Sequence, residues 1–333
     1  MTVVKYLLNC RTRSTKICIR EVLWHGKSLP IRQEVEMDAA AEKPRLQLIR
    51  KVYKGVVMFE NEVEEIEKME TREDDIWVCS FPRSGTTLTQ ELVLLIETCD
   101  YEKATTMQLD EVFPIIDVKD DRFPYYKGIK YVEQMKSPRL IKCHLHYHML
   151  PEQLRQGKGR IIYIARNPKD LVTSFYRLMQ WGDQLEEGDK TFHQFIDAFI
   201  NGTGFSCPWS KHLLEFWEKR NDEHVLFLKY EEVVKDMAKA VRQISDFLNK
   251  PVTDEEVAKI CEYCHIDTMK KNNMCNMSYL RDFKYVNDDA KGGFMNKGKP
   301  GAWRELLSPE ICARIDGMMH DELDGSGLVL EEY

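Results

Sequence analysis

A chain of 333 residues, 43% hydrophobic and 31% charged, can bury a full core as one large α/β domain or two smaller ones. Its net charge of −7 excludes a general nucleic-acid binder and leaves room only for a local basic pocket. No apolar run approaches membrane-spanning length, and ten cysteines without framework spacing or a secretory leader are expected to be reduced thiols in the cytoplasm.

The chain opens on residues 1–36, which carry Lys5, Arg11, Arg13, Lys16 and Arg20 but no acidic side chain before Glu21. Mitochondrial transit segments share that bias. The reading adopted is an atypical or poorly ordered extension, with a single folded domain at 37–333. The acidic run from Glu60 to Asp75 reads as a solvated helix face. Next, the apolar run Ile76-Trp-Val-Cys79 breaks into Ser80-Phe-Pro-Arg-Ser-Gly85. It restarts as a helix with Leu88, Leu92 and Leu95 at helical spacing. A strand, a turn containing Gly85 and a helix opening on Thr86 and Thr87 make a cradle for an anion, lined by backbone N–H groups and hydroxyls. One glycine, with Arg83 ahead of it, distinguishes the loop from Gly-x-x-x-x-Gly-Lys-Ser/Thr. The plain alternative is an ordinary strand-to-helix turn.

Arg139-Leu-Ile-Lys-Cys-His-Leu145 reads as a short strand, on which Lys142 and His144 share a face. A neutral imidazole beside an ammonium suits proton abstraction from a substrate hydroxyl. His146 and His148 extend the alternation and open a zinc reading of three imidazoles; the approach of Met149-Leu-Pro151, where the strand should end, weighs against it. Arg160-Ile-Ile-Tyr-Ile-Ala-Arg166 is the near-continuous apolar run of a strand buried on both faces. Arg166, with Ser174 two turns into the following helix, suits a second phosphate, against the alternative of an Arg166–Asp170 pair.

Helices are expected at 88–97, 168–181, 190–200, 208–219, 232–248 and 254–264, with a further strand at His224-Val-Leu-Phe-Leu-Lys-Tyr230. Cys261-Glu-Tyr-Cys264-His265 matches a haem-attachment pattern by coincidence inside a helix. Phe294-Met-Asn-Lys-Gly-Lys-Pro-Gly-Ala-Trp303 is a loop able to close over a nucleotide, with Lys297 and the Gly298 amide meeting a phosphate. The alternation of strands and helices predicts an α/β fold with a mostly parallel sheet covered by helices, and ligands at the carboxyl ends of its strands.

Taken together, Ser80 to Thr87, Arg139 to Leu145, Ala165 to Asp170 with Ser174, and Phe294 to Trp303 resemble the ordered motifs of the cytosolic sulfotransferases. The arginine in the first loop is similar to that of arthropod members. The resemblance implies a P-loop-like sulfotransferase fold. It also implies a donor, 3′-phosphoadenosine 5′-phosphosulfate, converted to adenosine 3′,5′-bisphosphate without a metal, and a role in small-molecule or xenobiotic metabolism. It further implies that Arg83, Ser84, Gly85, Thr86 and Thr87 cradle the 5′-phosphosulfate. Arg166, Ser174, Lys297 and Gly298 would hold the 3′-phosphate, with Tyr230 near the adenine. His144 becomes the base, with Lys142 and Arg83 beside the transferring group. The chain departs from the family pattern at Arg83 (usually lysine), Leu88 (usually aromatic), Asn296 (usually arginine) and Cys143-His144-Leu145-His146 in place of Thr-His-Leu-Pro.

The expected partner is a small, largely apolar acceptor with a hydroxyl or amine, facing Phe81, Phe113, Leu178 and Met179. No nucleic-acid or membrane partner is expected, and no clear motif after Trp303 supports a homodimer. Alternative readings are a sulfation-driven dehydratase of an allylic alcohol, a non-catalytic donor-binding or scaffold protein, and a zinc hydrolase built on His144, His146 and His148.

Overall fold

The computed structural model describes residues 16–24, 27–36 and 48–332, apart from 119, 121, 123–124, 126–127, 283–284 and 288–292. The chain divides into two compact units, Met1–Arg45 and Leu46–Tyr333. In the first, β1 (Lys16–Trp24) and β2 (Lys27–Glu36) pair antiparallel, with an irregular register between Ile19 and Glu21. The first 15 residues of the expected extension lie outside the described residues.

The second unit opens on an antiparallel hairpin of β3 (Arg50–Tyr53) and β4 (Val56–Phe59). Lys54 and Gly55 at its tip have φ of +50° and +86°. Two successive left-handed residues give the turn whose twist matches that of the strands. The centre of the unit is a sheet of β5 (Ile76–Cys79), β6 (Leu140–Cys143), β7 (Arg160–Ala165) and β8 (Val225–Lys229), in the order β6-β5-β7-β8 with every pair parallel. The helices that cover it include α1 (Thr86–Thr98), α2 (Pro168–Trp181), α3 (Trp209–Trp217), α4 (Met237–Leu248), α5 (Asp254–Tyr263) and α6 (Pro309–Leu323).

Alternation along the strands sorts their side chains into two cores. Trp77, Ile141, Ile161 and Tyr163 join Leu171 and Phe175 of α2, Phe216 of α3 and Ile315 of α6. Ile76, Val78, Ile162 and Ile164 join Leu92 and Leu95 of α1, Val241 and Ile244 of α4 and Ile260 of α5. Helices therefore cover both faces, which is why these strands read as continuous apolar runs. Each such buried side chain contributes about 1.5–3 kcal/mol.

Three expectations change in detail. The strand expected over 139–145 ends at Cys143, and the chain leaves the sheet toward a single 3₁₀ turn at Tyr147–Met149. The helix expected over 232–248 is two helices, Tyr230–Lys235 and α4, because Asp236 breaks the chain and its carboxylate accepts the Lys239 N–H at 3.0 Å. Asp75 does not lie on a solvated helix face, since that helix spans only Val63–Lys68. Its carboxylate is buried against Arg139, whose Nε donates to it at 2.7 Å, tying the start of β5 to the start of β6. No helix among the described residues is long and apolar enough to cross a membrane.

Candidate active site

At the carboxyl end of β5 the chain turns through Ser80–Gly85 into α1 with two left-handed residues, Arg83 at φ +73° and Gly85 at φ +113°. A Cβ at position 85 would stand 2.7 Å from the Tyr230 ring and 3.1 Å from Ile164, so both space and backbone demand glycine. Arg83 has no such exemption, and its left-handed backbone costs about 1–2 kcal/mol. Its side chain holds it there. Nε donates to Ser174 Oγ at 3.1 Å, one terminal nitrogen donates to the Phe294 carbonyl at 2.7 Å, and the guanidinium lies 4.7 Å from the centre of the Phe294 ring. Burial and the neighbouring Arg166 lower its pKa to about 10, which leaves it a cation at neutral pH. Ser84 Oγ is buried with no partner among the described residues. Thr86 Oγ1 shares a 2.7 Å hydrogen bond with Ser80 Oγ, and Thr87 follows it in the first turn of α1.

His144 lies one residue past β6. Its Nδ1–H donates to the Ser80 carbonyl at 2.8 Å, which leaves Nε2 as the nitrogen with the free lone pair. Its backbone N–H donates to Asp117 Oδ2 at 3.0 Å. Its carbonyl accepts from His212 Nε2 at 3.2 Å, and His212 Nδ1 accepts the Tyr163 hydroxyl at 3.0 Å. Burial, with Lys142 and Arg83 nearby, lowers the His144 pKa to about 3, so the ring is neutral. Lys142 Nζ lies 3.5 Å from Asp110 Oδ1, and the Tyr279 hydroxyl donates to the other oxygen of that carboxylate at 2.6 Å.

The sequence reading missed Asp110, Asp117 and His212. No local pattern marks them: the two aspartates arrive because the chain at Pro114–Ile115 pairs with the edge of β6 at Lys142. Burial raises the Asp117 carboxyl to about 6, and its Oδ1 has no partner among the described residues.

A second group of cations borders the same cavity. Arg166, one residue past β7, donates to the Arg83 carbonyl at 2.9 Å and lies 4.5 Å from the centre of the Tyr230 ring, while its buried Nε has no partner among the described residues. The Arg166–Asp170 pair weighed as an alternative does not form as the carboxylate's main bond. Asp170 accepts the backbone N–H groups of Gly301 and Trp303 at 2.6 and 3.1 Å, pinning the C-terminal loop to α2. In that loop Lys297 Nζ reaches Glu305 at 2.5 Å. Gly298 has φ +66°, and a Cβ there would stand 2.5 Å from Ile266, so the loop closes down on a neighbouring helix at its glycine.

A cavity of about 450 Å³ joins these groups. Arg83, Gly85, Thr86, Thr87, Lys142, His144, Arg166, Ser174, Tyr230, Lys297 and Gly298 all line it, with Leu88 and Asn296. Its apolar lining includes Met58, Phe59, Phe175, Leu178, Met179 and Phe205. Of the four residues expected to face an acceptor, Leu178 and Met179 line the cavity and Phe81 and Phe113 do not. Phe81 turns into the core, edge-on to Phe175, Phe199 and His212, and Phe113 is buried on the opposite face of the sheet. The zinc triad of His144, His146 and His148 does not assemble either. The strand ends before the alternation can align them, and His144 is committed to Ser80.

The sulfotransferase domain family matches residues 73–327. Sulfotransferase 4A1 of Homo sapiens is 30% identical over 272 residues, covering 81% of this chain and 88% of that protein. The amine sulfotransferase of Oryctolagus cuniculus is 31% identical over 264 residues, 78% of this chain and 84% of that one. Retinol dehydratase, solved in a complex with retinol and PAP, has a TM-score of 0.76 at 26% identity, covering 84% of this chain and 90% of its own. The chain belongs to the sulfotransferase family. It is an enzyme whose donor is 3′-phosphoadenosine 5′-phosphosulfate.

The residues present fit that donor. Ser84 Oγ and Arg166 Nε are buried polar groups without a partner among the described residues, and Gly85 and Gly298 let the cavity wall pack tightly against Tyr230 and Ile266.

Proposed function

We propose that the chain transfers a sulfuryl group to the hydroxyl, or amine, of a small and largely apolar acceptor, with His144 as the general base. One observation carries this reading: a neutral imidazole, its tautomer set by Ser80, borders a cavity with Lys142 and Arg83 alongside and an apolar lining. The donor supplies the sulfuryl group and a phosphate leaving group. The chain supplies the rest. His144 Nε2 takes the acceptor proton as the nucleophile forms, while Asp117 Oδ2 holds the backbone N–H of the same residue. Lys142 and Arg83 place fixed positive charge where negative charge spreads in the in-line transfer.

Arg83 to Thr87 are the residues assigned to the 5′-phosphosulfate, and Arg166, Ser174, Lys297 and Gly298 those assigned to the 3′-phosphate, with Tyr230 beside the adenine. Arg83 is also the feature that favours an arthropod-type member. A cytoplasmic site of action accords with the free thiols of Cys79, Cys99, Cys143, Cys207, Cys261, Cys264, Cys275 and Cys312.

Calorimetric titration with adenosine 3′,5′-bisphosphate against adenosine 5′-monophosphate, paired with turnover of an acceptor panel, tests this reading. Selective binding of the bisphosphate is expected. His144→Ala should keep that affinity and lose about 10²–10⁴ in kcat. Equal affinity for the two nucleotides would remove the 3′-phosphate assignment, and an unchanged kcat would remove His144. The likeness to retinol dehydratase supports a second reading, sulfation-driven dehydration of an allylic alcohol. An alkene product in place of a stable sulfate ester would decide for it.

A further inference from the structure

Among the described residues, one group of histidine and carboxylate side chains outside the transfer machinery has ligand atoms within mutual reach of a metal ion: His146, His148 and Glu215, within 4.8 Å of one another. We propose that these three residues bind a zinc ion. His146 is the strongest sign. Its ring is fully buried, and its Nε2–H donates to the Ser206 carbonyl at 3.1 Å, so Nδ1 carries the lone pair. That Nδ1 has no partner among the described residues. A buried acceptor left unpaired is costly to the fold, and a backbone carbonyl holding the other ring nitrogen is the usual second contact of a metal-bound histidine.

His148 Nδ1 lies 2.8 and 2.9 Å from the two Glu215 oxygens, and the His148 backbone N–H donates to the same carboxylate at 3.2 Å. Ligand atoms around a tetrahedral zinc stand about 3.3 Å apart, so closing the group asks only for side-chain adjustment. On binding, the ion takes the place of the proton between His148 and Glu215, and that proton moves to solvent or to His148 Nε2. Two imidazoles and one carboxylate favour zinc over the oxygen-seeking magnesium and calcium. His148 and Glu215 are half-buried, which leaves a path in and a fourth position for water. Lys211, 4.0 Å from Glu215 Oε1, is half-exposed and free to turn outward.

The ion would serve the fold of the segment that carries the base rather than the transfer itself. The His146 ring lies 4.7 Å from the His212 ring, and His212 donates to the His144 carbonyl. His144 Nε2 is not a ligand.

The test uses the full chain, stripped of metal by a chelator and titrated with zinc, with cobalt(II) as a spectroscopic probe and thermal unfolding as the check on folding. One ion per chain is expected, with a cobalt spectrum free of thiolate charge transfer. His148→Ala and Glu215→Gln, both at half-buried positions, should each weaken zinc binding by more than about 100-fold. Absence of saturable binding, unchanged affinity in either folded variant, or a thiolate band placing the ion on cysteine would each overturn the site.

Discussion

Burial separates the titrations of two residues that a backbone hydrogen bond joins in the site. His144 is pushed down to about 3 and Asp117 up to about 6. The base is therefore neutral across the working range, and an acid limb in the rate near pH 6 should belong to Asp117. As pH falls through 6 the carboxylate gains a proton, and the His144 backbone N–H loses the charged acceptor that holds the base in position. Asp117→Asn should flatten that limb and hold kcat at the low plateau from pH 5 to 8. A limb near pH 6.5 that persists in the variant would mean that His144 itself titrates in its ordinary range. These two roles differ in how they appear in the sequence. His144 stands out because its neighbour two positions away is Lys142 at a strand end, whereas Asp117 sits in an unpatterned loop and gains its place only when that loop pairs with β6.

The parallel strands were legible because a strand covered on both sides is apolar along its whole length, as Ile161 to Ala165 are. Their ends were not, since Leu145 continues the apolar alternation although the hydrogen-bond ladder stops at Cys143. That short overrun put His144, His146 and His148 on one face. Glu215, which bonds to His148 and stands in one cluster with His146, is 67 positions from His148 and invisible to any local pattern. Helix α1 was legible from Leu88, Leu92 and Leu95, but not its buried Glu91, a charge inside the core.

Burial raises that carboxyl from its ordinary 4.5 to about 7, and its Oε2 has no partner among the described residues. A raised carboxyl binds its proton more tightly in the folded state. The resulting stabilisation is full below about pH 4.5 and is lost as pH rises through 7. Glu91→Gln should therefore raise Tm at pH 8, by an amount corresponding to at most about 3 kcal/mol, and leave it unchanged at pH 4.5. An equal gain at both pH values would show that repacking, not ionisation, is responsible.

At the scale of the whole chain, an acidic protein gathers Arg83, Lys142, Arg166 and Lys297 around one cavity, and all of that machinery belongs to the second unit. Among the described residues, one large core begins at Val56, the other at Ile76, and the cavity wall at Leu48. The chain divides at Arg45 by compactness, which predicts that the second unit folds without the first. Removing residues 1–45 should leave Tm within about 4 °C, the change that about 1 kcal/mol makes in a domain of this size. Affinity for adenosine 3′,5′-bisphosphate should stay within about twofold, a difference of about 0.4 kcal/mol. A truncated chain that unfolds, or that binds the bisphosphate more than about tenfold more weakly, would show that the first unit completes the core or the donor site, and the boundary would have to move toward the N-terminus.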